Sequence, residues 1–104
     1  MKQVAFKMKI KAGYAEEYQR RHDAIWPKLQ AVLTAAGIYD YAIYLDEPTL
    51  TLFAVQKLKP DNTASDLPQH PVVREWWDYM ADIMEVNFDN SPVVADLREV
   101  FYLA

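Results

Sequence analysis

Residues 39–58, YDYAIYLDEPTLTLFAVQKL, decide what kind of fold this chain can adopt. Aromatic and β-branched residues fill two arms around Asp46-Glu47-Pro48-Thr49, whose composition suits a turn, so the stretch reads as a β-hairpin. Both faces of that hairpin are apolar in places. Ala42 and Tyr44 stand opposite Tyr41 and Ile43, and Phe53 and Val55 opposite Leu52 and Ala54. A sheet built on it therefore needs cover on two sides.

Upstream, residues 3–11 alternate, with Val4, Phe6, Met8 and Ile10 on one side and Ala5, Lys7, Lys9 and Lys11 on the other, the pattern of a half-buried strand. After Gly13, residues 14–36 carry helical spacing, with Ile25, Leu29, Val32, Leu33 and Ala36 in one stripe and Gly37 placed as a C-terminal cap. Pro27 interrupts this run because it has no N–H to send to Asp23. Either one helix kinks there, or a first helix ends near His22 and a second starts with Pro27 in its first turn, where proline is well suited. The second solution is favoured, and it sets His22 at a bend. Downstream of the hairpin, residues 59–70 hold Pro60, Pro68 and His70-Pro71 and read mostly as loop. A second amphipathic helix is predicted from Pro71 to about Val86, with Val73, Trp76, Trp77, Met80, Ile83 and Met84 on one broad face. NFDNSP is a turn-rich connector, and DLREVFYL (96–103) alternates as a closing strand.

The order strand, helix, strand, strand, helix, strand is the ferredoxin-like split βαβ pattern, an α+β fold. It predicts one domain over residues 1–104, a four-stranded antiparallel sheet with helices on one face. The helices cover only that face, and a second apolar face left in water would be an oversized exposed patch. Packing of two identical sheets resolves this, so a closed two-fold homodimer, a dimeric α/β barrel, is expected.

Composition narrows the function classes. With 52% hydrophobic residues in 104, the chain has apolar surface enough to fold without a metal or disulfide. It has no cysteine, which excludes thiol catalysis and cysteine-ligated metal sites and is compatible with a cytoplasmic setting. A net charge of −4 argues against a nucleic-acid partner. Lysines 2, 7, 9 and 11 alternate along a strand and read as a solvated face. The N-terminal MKQVAFKMKI lacks the continuous apolar core of a signal peptide, and no apolar run approaches the roughly 18 residues of a membrane span, so a soluble protein with no membrane partner is expected.

Three groups of residues offer chemistry. Tyr18 and His22 lie one helical turn apart, and an imidazole with an ordinary pKa of about 6.5 can give and take protons near neutrality. Taken alone, a helical histidine is more often a surface or packing residue than a catalytic one. Arg20 and Arg21 beside it read as solvated or paired with Glu16 and Glu17. Trp76 and Trp77 point about 100° apart on a helix and could form the wall and floor of a pocket, or simply fill the core. Tyr41, alternating with Tyr39 and Ile43, carries a phenol that needs a polar partner if buried. His22 and His70 have no ligand-like spacing, so no metal is expected, and His70 reads as a loop residue. With only two glycines there is no phosphate-binding loop. Asp46, Glu47, Asp78, Asp82 and Asp89 read as capping or solvated carboxylates, and none stands out as a general base.

EEYQRRHDAIWPKLQAVL, YDYAIYLD, REWWDYMADIM, DNSP and EVFYL, in that order and spacing, closely resemble the L-rhamnose mutarotases, small cytoplasmic sugar-anomer epimerases. The resemblance spans essentially the whole chain and departs from the family pattern in residues 59–71, where three prolines stand. It implies a ferredoxin-like dimer that interconverts the α and β anomers of L-rhamnose with no cofactor. By the same resemblance His22 is the proton donor, and Tyr18, Tyr41, Trp76 and Trp77 bind the sugar. Two other readings keep the fold: a haem-binding protein or cofactor-independent monooxygenase of the dimeric α+β barrel type, and a non-catalytic sugar-binding module.

Overall fold

The computed structural model describes residues 2–104. Seven regular elements follow in order: β1 (Lys2–Lys9), α1 (Ala15–Asp23), α2 (Pro27–Ala35), β2 (Ile38–Asp46), β3 (Thr51–Leu58), α3 (Pro71–Met80) and β4 (Ala95–Leu97). The strands form one sheet in the order β2-β3-β1-β4, every neighbour antiparallel. This is the split βαβ arrangement expected from the element order.

The hairpin forms where its composition placed it. A 3₁₀ turn, Glu47–Thr49, joins its arms, and Leu50 closes the turn with a φ of 57°. Leu45 then faces Leu52 and Ile43 faces Ala54, while Tyr44 pairs with Phe53 on the other side of the sheet. Leu52 and Ala54 are fully buried with Met8 and Ile10 of the β1 segment against Leu29, Val73, Trp76, Met80 and Ile83 from the helical side. Burying a side chain such as Leu52 is worth about 1.5–3 kcal/mol, so this layer carries the fold.

Pro27 breaks the first helical stretch into two helices. It occupies the first turn of α2, and Trp26 before it is extended at φ −61°, ψ 128°, as the proline ring demands. The α1 end is closed by Ala24 and Ile25, whose N–H groups donate to the carbonyls of Arg20 and His22. Gly37 has a φ of +90°, and a Cβ there would come within 2.9 Å of Asn62 Cβ, so both conformation and space call for glycine.

Three expectations need correction. The helix starting at Pro71 ends at Met80 and not near Val86: after a 3₁₀ turn, Ala81–Ile83, the chain becomes extended at Met84. There it bridges Ile10, and Lys11 N–H donates to Ile83 O while Glu85 N–H donates to Lys9 O, so sheet pairing wins over helix continuation. The 59–70 stretch contains a 3₁₀ segment, Ala64–Gln69, and His70 caps α3 by accepting the Val72 N–H at Nδ1 (3.1 Å). The closing strand is also far shorter than DLREVFYL suggests, because only Ala95–Leu97 pairs with β1. Val100, Phe101, Tyr102 and Leu103 lie exposed beyond it, with no apolar surface of their own chain to cover them. Among the described residues no helix is long and apolar enough to cross a membrane.

Candidate active site

A cleft of about 1130 Å³ opens between the helices and the β2 side of the sheet. Its walls include all five residues singled out from the sequence: Tyr18, His22, Tyr41, Trp76 and Trp77. The fold brings them together from three elements.

The first wall comes from α1. One helical turn sets Tyr18 beneath His22, and the two rings stack with centroids 4.2 Å apart and planes 24° from parallel. His22 Nδ1 lies 3.0 Å from the carbonyl oxygen of Tyr18. A carbonyl only accepts, so Nδ1 is the nitrogen that carries the proton, and in the neutral ring Nε2 keeps the lone pair. Trp76 meets the imidazole edge-on at 5.4 Å. Burial between these rings lowers the His22 pKa from its ordinary 6.5, against the opposing pull of the Tyr18 carbonyl and Asp23. His22 therefore rests as a neutral imidazole at pH 7.

The second wall comes from an irregularity in β2. Tyr39 pairs with Lys57 and Ala42 with Val55, so Asp40 and Tyr41 together span the place opposite the single residue Gln56. Asp40 absorbs the extra length with a φ of 47° and an ion pair to Lys57 at 3.2 Å. Such a bulge re-aims a side chain, and it separates Tyr41 from the face that Tyr39 takes. Although 38% of the Tyr41 surface stays exposed, its hydroxyl lies inside, where desolvation lifts the phenol pKa and a hydrogen bond from Gln56 pulls it down. The Tyr18 hydroxyl is also buried and its pKa is raised well above the ordinary tyrosine range, chiefly by desolvation and further by Tyr41. Both phenols stay protonated and can donate hydrogen bonds.

The two tryptophans of α3 divide their duties. Trp76 is buried and belongs to the core as well as to the cleft; Trp77 is half-buried and lines the cleft. Core filling and pocket building thus coincide in Trp76.

Sequence reasoning missed the residues behind this wall. Trp26, held extended before Pro27, meets Trp76 edge-on at 5.0 Å and Tyr79 at 5.6 Å. The Trp-Pro junction was the available signal, because it fixes the tryptophan at a helix start. Arg21 departs from the expectation of a solvated side chain or one paired with Glu16 and Glu17 alone. It does take Glu17 (2.7 Å), but it is buried and crosses to the Tyr79 carbonyl in the last turn of α3 and to Asp82 just beyond it. No local pattern announces a partner 61 positions away. Among the described residues no group of three or more His, Cys, Asp or Glu side chains is placed to hold a metal ion.

Comparison with known proteins adds to this geometry. The sequence model of the L-rhamnose mutarotase family matches residues 3–103. A protein of Phocaeicola vulgatus named L-rhamnose mutarotase is 54% identical over 103 residues, 99% of each chain. One of the same name from Sinorhizobium fredii is 53% identical over the full length of both. A crystal structure of an L-rhamnose mutarotase from Formosa agariphila superposes with a TM-score of 0.94 at 47% identity, covering 100% of both chains.

Proposed function

Because the chain belongs to the L-rhamnose mutarotase family, we propose that it interconverts the α and β anomers of L-rhamnose, with His22 carrying the proton. The observation that carries this reading is the His22 imidazole, stacked on Tyr18, edge-on to Trp76 and turned by the Tyr18 carbonyl so that Nε2 is free. The cleft disfavours an anionic ligand: of the described residues that line it, none is lysine or arginine, while Glu16, Asp23, Asp40 and Glu47 are among them and can accept hydrogen bonds from a polyol. Phenol hydroxyls from Tyr18 and Tyr41 would hold sugar hydroxyls, and the indoles of Trp76 and Trp77 would pack on the apolar ring face and the 6-methyl group.

The chemistry follows from one nitrogen. The anomeric O1 and the ring O5 are bonded to the same carbon, so a single Nε2 reaches both. Neutral His22 takes the O1 proton as the C1=O1 double bond forms. The C1–O5 pair leaves with O5, which receives the proton from the imidazolium. Rotation about C1–C2 presents the other aldehyde face, and the same transfers in reverse close the ring to the other anomer. The proton balance closes without a second titrating group, and help of this kind is worth about 10²–10⁴-fold.

The chain would work as a homodimer in the cytoplasm, a setting that suits a chain without cysteine. The exposed Tyr44–Phe53 face and the uncovered 100–103 tail support a second copy as cover.

Saturation-transfer NMR on L-rhamnose, with and without the protein, tests the activity. Catalysed exchange between the anomer signals is expected, and binding without faster exchange would make this a sugar-binding module instead. Trp77→Ala should weaken sugar affinity in titration while the melting temperature falls only slightly. Trp76→Ala should cost about 3–5 kcal/mol of stability as well, because that indole also fills the core.

A further inference from the structure

We propose that Arg21 is a positioning residue for this reaction: it holds α1 against the end of α3 so that His22 and Trp76 face the sugar at a fixed separation. The inference rests on the mutarotase reading above. Its geometry is that of a filled clamp. Arg21 Nη1 donates to the Tyr79 carbonyl (2.8 Å) and to Asp82 Oδ1 (2.9 Å), Nη2 donates to Asp82 Oδ2 (3.2 Å), and Nε donates to Glu17 Oε2 (2.7 Å). The guanidinium carbon also stands 4.5 Å over the Tyr79 ring.

That ring is the link to the site. Tyr79 packs 5.6 Å from both Trp76 and Trp26, so what fixes Tyr79 also backs the indole that meets His22. Arg21 and His22 are adjacent on α1, one turned to the clamp and the other to the cleft. A shift of α1 along α3 would move the imidazole relative to the stacked sugar, and misplacement by about 1 Å costs about 10²-fold in rate. The planar fork cannot be replaced by an ammonium, which offers no bidentate match to Asp82 and stacks less well on Tyr79.

The test separates positioning from mere stabilisation. Arg21→Lys and Asp82→Asn would be measured at a temperature well below their melting points, with kcat and KM for L-rhamnose taken per folded molecule from anomer exchange. The Trp76 indole N–H signal would be followed alongside. For Arg21→Lys, kcat should fall about 10–100-fold with KM within about threefold, and the Trp76 signal should move. Asp82→Asn should shift both in the same direction by less. A folded Arg21→Lys with wild-type kcat, or with a raised KM alone, overturns the proposal whatever its melting temperature. If Arg21→Lys does not fold, Asp82→Asn decides: its carboxylate is 65% exposed, and an unchanged kcat there overturns the proposal too. Absence of exchange in the unsubstituted protein would instead sink the mutarotase reading itself.

Discussion

Replacing His22 with glutamine should slow catalysed exchange of the L-rhamnose anomers by about 10²–10⁴-fold, the range general acid–base help supplies. Glutamine keeps much of the volume, but it gives up the ring stack on Tyr18, and its amide nitrogen overlies Nε2 and not the Nδ1 that meets the Tyr18 carbonyl. What disappears is a nitrogen able to accept and return a proton. Sugar affinity, read by titration, should change far less than the rate. A variant that exchanges anomers as fast as the parent would remove the histidine from the mechanism.

The pH profile of the parent enzyme carries the sign of the same argument. Burial between aromatic rings lowers the His22 pKa below 6.5. A neutral imidazole that begins by accepting the O1 proton is lost when it is protonated. Activity, as kcat/KM between pH 5 and 9, should therefore fall on the acid side with a midpoint under 6.5 and stay level from 7 to 9. If the resting form were the imidazolium donor, the rate would instead decline as pH rises through that value. Linkage gives stability the same direction. The unfolded chain takes up the proton first, so stability is lost as pH falls from 6.5 through the folded-state pKa.

Legibility in the sequence followed the range of the interactions. Period-two alternation in residues 3–11 and 39–58 and the Pro27 break are local signals, and β1, the hairpin and the two-helix reading all stand. Tyr18 and His22 were readable for the same reason, one helical turn being a local geometry. The α3 end was not, because Met84 leaves the helix to bridge Ile10, a partner far away in sequence. The β2 bulge escaped notice since Asp40, a residue tolerant of positive φ, sits in an otherwise regular alternation. Arg21 escaped because its carboxylate at Asp82 arrives only once α3 has docked. The overestimated closing strand is the most informative miss. Its alternation is genuine, yet beyond Leu97 its own chain offers no place to bury Phe101 or Leu103.

That miss leads to the second large effect, on assembly. In the proposed homodimer, Phe53→Asp should separate the two copies into single chains, as read by light scattering after gel filtration. Phe53 pairs with Tyr44 on the sheet face away from the helices, and the two remain 38% and 65% exposed in the lone chain. Leu97 lies on the same face through its pairing with Ala5, and the apolar tail leaves from its end. An isologous sheet-to-sheet contact repeats each substitution about the two-fold axis, so one change introduces two carboxylates into a dry layer. Leaving an unpaired charge in such a place costs about 3–5 kcal/mol, which weakens the dimer roughly 10²–10³-fold or more. The five candidate site residues line a cleft within a single chain, on the helix side of the sheet. The separated chain should accordingly keep measurable anomer exchange per folded molecule while losing thermal stability and solubility. An unchanged dimer in Phe53→Asp would mean that some other surface brings the copies together and that the exposed tail needs a different cover.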